Sequence, residues 1–190
     1  MRELKNQLRY VLPLWFVFLI TSWFPDNRLT IRFRGFLASF FMKKCGKNFT
    51  IAKGVIINNP QGLVIGDHVY IAKGCWLNAM AGLTIEDEVI FAPYVVISTT
   101  QHVFDNNSVR FGGSIANPVL IGKGSWLASH VSVKCGVEVG KGNLIAANAS
   151  VTKSTPDFKI LGGVPARIIK DNVDTKPSFS SRAEFEKSIK

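Results

Sequence analysis

Ile121-Gly-Lys-Gly-Ser-Trp, Leu127-Ala-Ser-His-Val-Ser, Val133-Lys-Cys-Gly-Val-Glu, Val139-Gly-Lys-Gly-Asn-Leu, Ile145-Ala-Ala-Asn-Ala-Ser and Val151-Thr-Lys-Ser-Thr-Pro156 follow one another without a gap. Each block of six opens on a large aliphatic residue, Gly or Ala is common in second place, and the fifth place is mostly small or Val. Six is three times the strand period of two, so places one and five point to the same side of an extended chain. Large and small inward side chains can then alternate inside a narrow three-sided coil, with Gly and Asn at its corners.

The same register extends toward the N-terminus. Ile65-Gly-Asp-His-Val-Tyr70, Ile71-Ala-Lys-Gly-Cys-Trp76 and Leu77-Asn-Ala-Met-Ala-Gly82 form one set of three. Ile85-Glu-Asp-Glu-Val-Ile90, Phe91-Ala-Pro-Tyr-Val-Val96 and Ile97-Ser-Thr-Thr-Gln-His102 form another, and a weaker coil starts at Cys45. Coils therefore begin at 45, 65, 85, 121 and 139, with two extra residues in each of the first two. This predicts an all-β fold, a parallel β-helix of about five coils in which each rung covers its neighbour's edge. The expected organisation is an N-terminal helical segment (1–44), the repeat domain (45–170) and a polar C-terminal extension (171–190). Periodicity leaves the handedness of the coil open.

A chain of 190 residues, 47% hydrophobic and 19% charged, has ample material for one core and is too poor in charge for disorder. Cys45, Cys75 and Cys135 cannot close a disulfide framework, and no Cys-x-x-Cys or Cys/His cluster is present, which points to a reducing compartment. The net charge of +10 is unevenly spread. Residues 1–44 carry eight Lys/Arg against two acids, beside the most apolar stretch of the chain. That pairing points to an anionic membrane surface and away from nucleic acid.

Tyr10 to Pro25 is free of charge, but sixteen residues fall short of the roughly 20 needed to cross a bilayer. Trp23-Phe24-Pro25 stands where a signal peptide would carry small residues, so cleavage is not expected. Beyond Pro25-Asp26-Asn27, Leu29, Phe33, Phe36, Leu37, Phe40 and Phe41 recur on one helical face, with Arg28, Arg32, Lys43 and Lys44 largely off it. Arg34 and Gly35 interrupt that pattern. The expectation is a helix lying in the headgroup region on the inner face of the cell membrane. Ordinary packing of both segments on the domain is the alternative.

Residues 103–120 break the repeat, and His102 is the last residue before the loop leaves. An eighteen-residue extrusion from a regular coil points to a function. His68 and His130 occupy fourth places of regular blocks, which face outward.

These blocks resemble the hexapeptide-repeat acyltransferases, in the branch of galactoside, maltose and xenobiotic O-acetyltransferases. The resemblance covers residues 45–170 and is most specific at Ile121–Ser129, Ile145–Lys153 and Gly163-Val-Pro-Ala-Arg167. It implies a left-handed β-helix, a homotrimer, and acetyl-CoA as acyl donor in a groove between subunits, with no metal. It also implies that His102 is the general base. An imidazole titrating near 6.5 can take a proton from a sugar hydroxyl without being permanently charged. Positions matching coenzyme A contacts are Ser129, Ala147, Thr152, Lys153, Arg167 and Lys170. Trp126 matches a tryptophan on the acceptor side, and Asn78, Arg110 and Phe111 are candidate acceptor contacts. Ala72 and Met80 stand where the galactoside branch has polar acceptor contacts, so galactoside specificity does not carry over.

The expected activity is acetyl-CoA-dependent O-acetylation of a sugar hydroxyl, on a lipid-linked or polymeric glycan, by direct transfer in a ternary complex. Rivals are N-acetylation of an amino-sugar nucleotide, a non-catalytic β-helix scaffold, and a metal enzyme on the same coil. The last would need three converging histidines.

Overall fold

A computed structural model describes residues 2–174; the expected C-terminal extension therefore lies, from position 175 on, outside the described residues. The first coil holds β1 (Lys44–Cys45), β2 (Thr50–Ile51) and β3 (Ile56–Asn58). The second holds β4 (Leu63–Ile65), β5 (Tyr70–Ile71) and β6 (Trp76–Asn78), and the third β7 (Leu83–Ile85), β8 (Ile90–Phe91) and β9 (Val96–Ser98). A hairpin of β10 (Thr100–His102) and β11 (Ser114–Ala116) then leaves the coil. The fourth coil is β12 (Val119–Ile121), β13 (Trp126–Leu127) and β14 (Ser132–Val133); the fifth is β15 (Glu138–Val139), β16 (Leu144–Ile145) and β17 (Ser150–Val151). Beyond the five coils read from the repeat, β18 (Lys159–Gly162) adds one rung of a sixth, and β19 (Arg167–Asp171) folds back antiparallel onto it.

Corresponding strands pair in parallel, giving three faces. The first face stacks β1, β4, β7, β12 and β15. The second stacks β2, β5, β8, β13, β16 and β18, and the third β3, β6, β9, β14 and β17. The inward side chains are those of places one and five: Ile65, Val69, Ile71, Cys75 and Leu77 in the second coil are all fully buried, as are their counterparts above. The two extra residues fall at the corner between third and first faces, where Ala79 and Leu83 turn inward and restore the register. The fourth place is where the chain turns. Asn48, His68 and Glu88 share a left-handed backbone at one corner, and Tyr94, His130 and Asn148 at the next. That strained geometry turns His68 and His130 outward, as their repeat position predicts.

Asn143 departs from the small-or-Val rule and sits inside the fifth coil, 1% exposed. Its Nδ2 donates to Thr155 Oγ1 (2.8 Å) and to the Pro156 carbonyl (2.9 Å), and its Oδ1 accepts from the Lys159 amide (2.7 Å). These bonds satisfy backbone groups where the regular coil ends.

At the other end, α1 (Arg2–Asn6), a π-helical turn (Gln7–Val11), α2 (Leu12–Thr21) and α3 (Arg28–Ser39) form a helical cap. Asn27 starts α3 with a capping box, accepting from Leu29 and Thr30 amides while Thr30 Oγ1 accepts from the Asn27 amide. The face of α3 that meets the coil is Arg34, Gly35 and Ala38, the residues that break its apolar stripe. A Cβ on Gly35 would lie 2.2 Å from the Phe49 carbonyl oxygen, so only glycine lets the helix approach the first rung. Arg34, 1% exposed, donates to Thr21 Oγ1 (3.0 Å), the Thr21 carbonyl (2.9 Å), Asp26 Oδ1 (2.8 Å) and the Ile51 carbonyl (3.0 Å). Asp26 in turn accepts from the Lys53 amide. Leu14, Ala38 and Met42 join the coil's core, whereas Trp15, Phe16, Leu29, Phe33, Phe36 and Phe40 remain exposed. Packing and exposure thus coexist on opposite faces of the same helices, and among the described residues no helix is long and apolar enough to cross a membrane.

Arg34→Ala leaves the buried Ile51 carbonyl without its donor and the Asp26 carboxylate without its cation. It is expected to cost about 3 kcal/mol. Arg34→Lys should not restore this, because an ammonium lacks the planar fork. Urea midpoints together with proteolysis in the 22–27 turn check both; parental resistance in Arg34→Ala would refute this role of Arg34.

Candidate functional site

His102 ends β10, opposite Ser114 of β11, and its imidazole is exposed. The break in the repeat is a paired hairpin from Thr100 to Ala116, shifted three to four residues toward the N-terminus relative to the expected 103–120, because β10 lies within the last regular block and β12 rejoins the coil at Val119. Thr99 fixes that base. Fully buried, it donates from Oγ1 to the Asn78 carbonyl (2.9 Å) and accepts there from the Ala81 amide (3.0 Å). Its own carbonyl accepts from the Asn117 amide (3.0 Å), so one residue ties both arms to the coil below. Beside it, Asn59 Nδ2 donates to Asn78 Oδ1 (3.1 Å) and Asn78 Nδ2 to Thr100 Oγ1 (3.0 Å). Asn78 is thereby tied to Thr100, two residues before the histidine, in a polar ladder. Neither Thr99 nor this ladder was singled out in the sequence, although the polar run Ser98-Thr-Thr-Gln-His102 marked the place.

Arg110 and Phe111 lie toward the free end of the hairpin, the guanidinium 5.8 Å from the ring centroid, and Phe111 is 85% exposed. Thr152 and Lys153 follow β17 at the same corner as the hairpin, two coils on. Lys153 and Arg167 both line a depression of about 490 Å³, with Thr155, Leu161 and Ala166. The turn at 163–166 forms its rim: the Ser150 amide donates to the Gly163 carbonyl and the Ala166 amide to the Ser150 carbonyl. Two cations over an open, partly apolar hollow suit a phosphate-bearing ligand with an apolar arm. Lys170 pairs with Ile160 in β19 and does not line it.

Ser129 and Ala147 stack at the opposite edge of the third face, where the Asn148 amide donates to the Ser129 carbonyl (3.0 Å). Trp126 lies on the second face between Ile90 and Leu144, half-exposed. The predicted residues thus fall on two edges of the prism. His102, Asn78 and Lys153 gather toward one and Trp126, Ser129 and Ala147 toward the other, while Arg167, paired with Gly162 at the end of β18, reaches the depression at the coil's end. A face of about six residues spans roughly 15–20 Å. That span separates the two groups within one subunit.

Among the described residues, no group of three His, Cys, Asp or Glu side chains converges as metal ligands. Two of the thiols are poor nucleophiles as well. Burial pushes Cys45 up to about 12, helped by the Asp67 charge, and pushes Cys75 up to about 11.

No family model matches the chain. It is 33% identical over 157 residues to the colanic acid biosynthesis acetyltransferase WcaF of Escherichia coli (strain K12), covering 83% of this chain and 84% of that protein. The galactoside O-acetyltransferase of the same strain is 29% identical over 126 residues, 66% of this chain and 62% of that one. A solved galactoside acetyltransferase in complex with coenzyme A superposes with a TM-score of 0.76 at 25% identity, over 88% of this chain and 80% of that chain.

The raised thiol values have a measurable consequence. At pH 8 the folded Cys75 is expected to alkylate about a hundredfold more slowly than in urea, and Cys45 more slowly still. Both rates should keep climbing above pH 9, since only the thiolate reacts. Residue-resolved labelling checks this; equal rates in folded and unfolded protein would contradict it.

Proposed function

The chain belongs to the hexapeptide-repeat acetyltransferases, acetyl-CoA-dependent enzymes built on a left-handed parallel β-helix, and we propose that its acceptor is a sugar hydroxyl of a cell-surface glycan or its lipid-linked precursor. The observation that carries this reading is the paired hairpin, which holds one exposed imidazole at the corner of the third coil. WcaF and the galactoside O-acetyltransferase, the relatives named above, support a sugar acceptor and oxygen as the atom acylated.

In this reading His102 accepts the hydroxyl proton as the acceptor oxygen attacks the thioester carbonyl. A carbon–oxygen bond forms, the carbon–sulfur bond breaks, and the departing sulfur takes up the proton from the imidazolium. No covalent acyl-enzyme is needed when both substrates are held together. Lys153 and Arg167 meet the phosphates of coenzyme A, and Ser129, Ala147 and Thr152 lie along its arm. Lys170 contributes only long-range charge, since it stands apart from the depression. Arg110 and Phe111 on the hairpin, with Asn78, Trp126 and the ladder, form the acceptor side.

The separation of these residues on two edges supports a trimer in which each site joins the hairpin edge of one subunit to the Ser129 edge of the next. The aromatic stripe of α3 and the exposed face of α2, with Arg28, Arg32, Lys43 and Lys44 nearby, support peripheral contact with an anionic membrane on its cytoplasmic side.

His102→Ala is expected to keep the fold and acetyl-CoA binding and to lose roughly 10²–10⁴ in turnover. His102→Asn should be about as inactive, and His130→Ala should stay within a few-fold of the parent. Thiol release with saturating acceptor measures this; more than about a tenth of parental turnover in His102→Ala would remove the general-base role. Lys153→Glu or Arg167→Glu should raise the KM for acetyl-CoA more than that for acceptor. Light scattering of the active protein should report a trimer, and a fully active monomer would rule out the shared site.

A further inference from the structure

Between α3 and the first two rungs of the second face lies a pocket of about 400 Å³ that the acetyl-transfer reading does not use. Arg28 and Arg32, one helical turn apart, form one wall. Thr50 and Tyr70, paired between β2 and β5, form the floor. Asn48 and His68 close the far side at successive left-handed corners, the amide nitrogen 3.5 Å from His68 Nδ1. Its polar lining therefore offers two guanidiniums, an imidazole, a carboxamide and two hydroxyls, with no carboxylate.

The acids nearby are engaged elsewhere. Asp67 accepts from the Lys47 amide (2.7 Å), Asp26 holds Arg34 and the Lys53 amide, and Glu88 pairs with Lys123. Among the described residues neither Arg28 nor Arg32 has a carboxylate partner. Two unpaired guanidinium forks turned into one pocket are suited to bidentate capture of a phosphate.

The surroundings narrow the ligand further. Leu29, between the two arginines in the chain, is 80% exposed, and Phe33 and Phe36 continue the apolar stripe. The coil-facing side of α3 is Arg34, Gly35 and Ala38, so this stripe faces away from the coil. A molecule with its phosphate in the pocket and an apolar tail would find an apolar surface beside it. We infer that this pocket binds the headgroup phosphate of an anionic phospholipid, so that the cap is anchored by a specific phosphate as well as by its aromatic stripe. This rests on the peripheral-membrane reading above.

The test uses the full chain and vesicles of phosphatidylcholine alone or with about one third phosphatidylglycerol. Arg28→Lys/Arg32→Lys keeps the charge and removes the forks. It is expected to weaken binding to the anionic vesicles about tenfold, the worth of one charge-assisted hydrogen bond. Parental binding in that variant would mean delocalised charge attraction and would overturn the pocket while leaving membrane contact standing. Equal binding of the parent to both vesicle types would do the same. Phe33→Ser/Phe36→Ser should weaken binding to both vesicle types, and a parent that binds neither overturns the membrane reading and this inference with it. Glycerol 1-phosphate, at matched ionic strength, should displace the protein from vesicles only weakly. Full displacement at millimolar levels would assign the pocket to a soluble phosphate and overturn the lipid source.

Discussion

The Ile51 carbonyl accepts its hydrogen bond from a guanidinium because the rung that carries it has no rung beneath it. A parallel β-helix satisfies its backbone by stacking, so its two terminal rungs expose groups that nothing in the repeat can pair. Most of what is irregular in this chain answers that constraint. Arg34 closes one end through a helix, drawn close by Gly35. Asn143 and the β18–β19 hairpin close the other, and there the returning strand also brings Arg167 beside Lys153. End-capping and the anion-binding hollow share one piece of chain.

Within the coil, the corners carry the specificity that the faces lack. Inward positions are mostly aliphatic, and one rung packs much like the next. At the corner between third and first faces, two coils spend two extra residues and the third releases a hairpin, whereas the chain turns back after β18 on the second face. The Thr99 bonds explain how such an excursion is held without disturbing the rungs on either side. Its side chain pairs with the coil below while its carbonyl receives the returning strand. The histidine is thus placed by a buried hydroxyl three residues before it.

The helical cap shows why an amphipathic pattern does not by itself say which face is buried. Leu29, Phe33, Phe36 and Phe40 of its apolar stripe are left outside, Phe41 at the end of the stripe packs on the core, and Arg34, Gly35 and Ala38 face the coil. The coil end offers bare carbonyls and a short approach distance. A guanidinium and a glycine fit that surface. An exposed aromatic stripe beside unpaired arginines then gives the cap a second surface of its own.

The repeat was legible because its physics is local: a period of six forces the same residues inward at every turn, whoever the neighbours are. Ile65 through Val151, the outward His68 and His130, and the break after His102 follow from that alone. The charge-free stretch and the helix after Asn27 are readable for the same reason. What only the tertiary structure decided concerns groups distant in the chain. Arg34 reads as an interruption of a stripe until the Ile51 carbonyl is set against it. Asn78 reads as a candidate acceptor contact, and only the fold shows that Asn59 and Thr100 bond its amide. Arg28, Arg32, Asn48 and His68 share no motif, and meet because a helix is laid across the edge of a coil. The division of the site residues between two edges is likewise invisible in a one-dimensional register. Periodicity records which side of a strand a residue takes, whereas the partner it meets depends on how whole elements pack, and no local period encodes that.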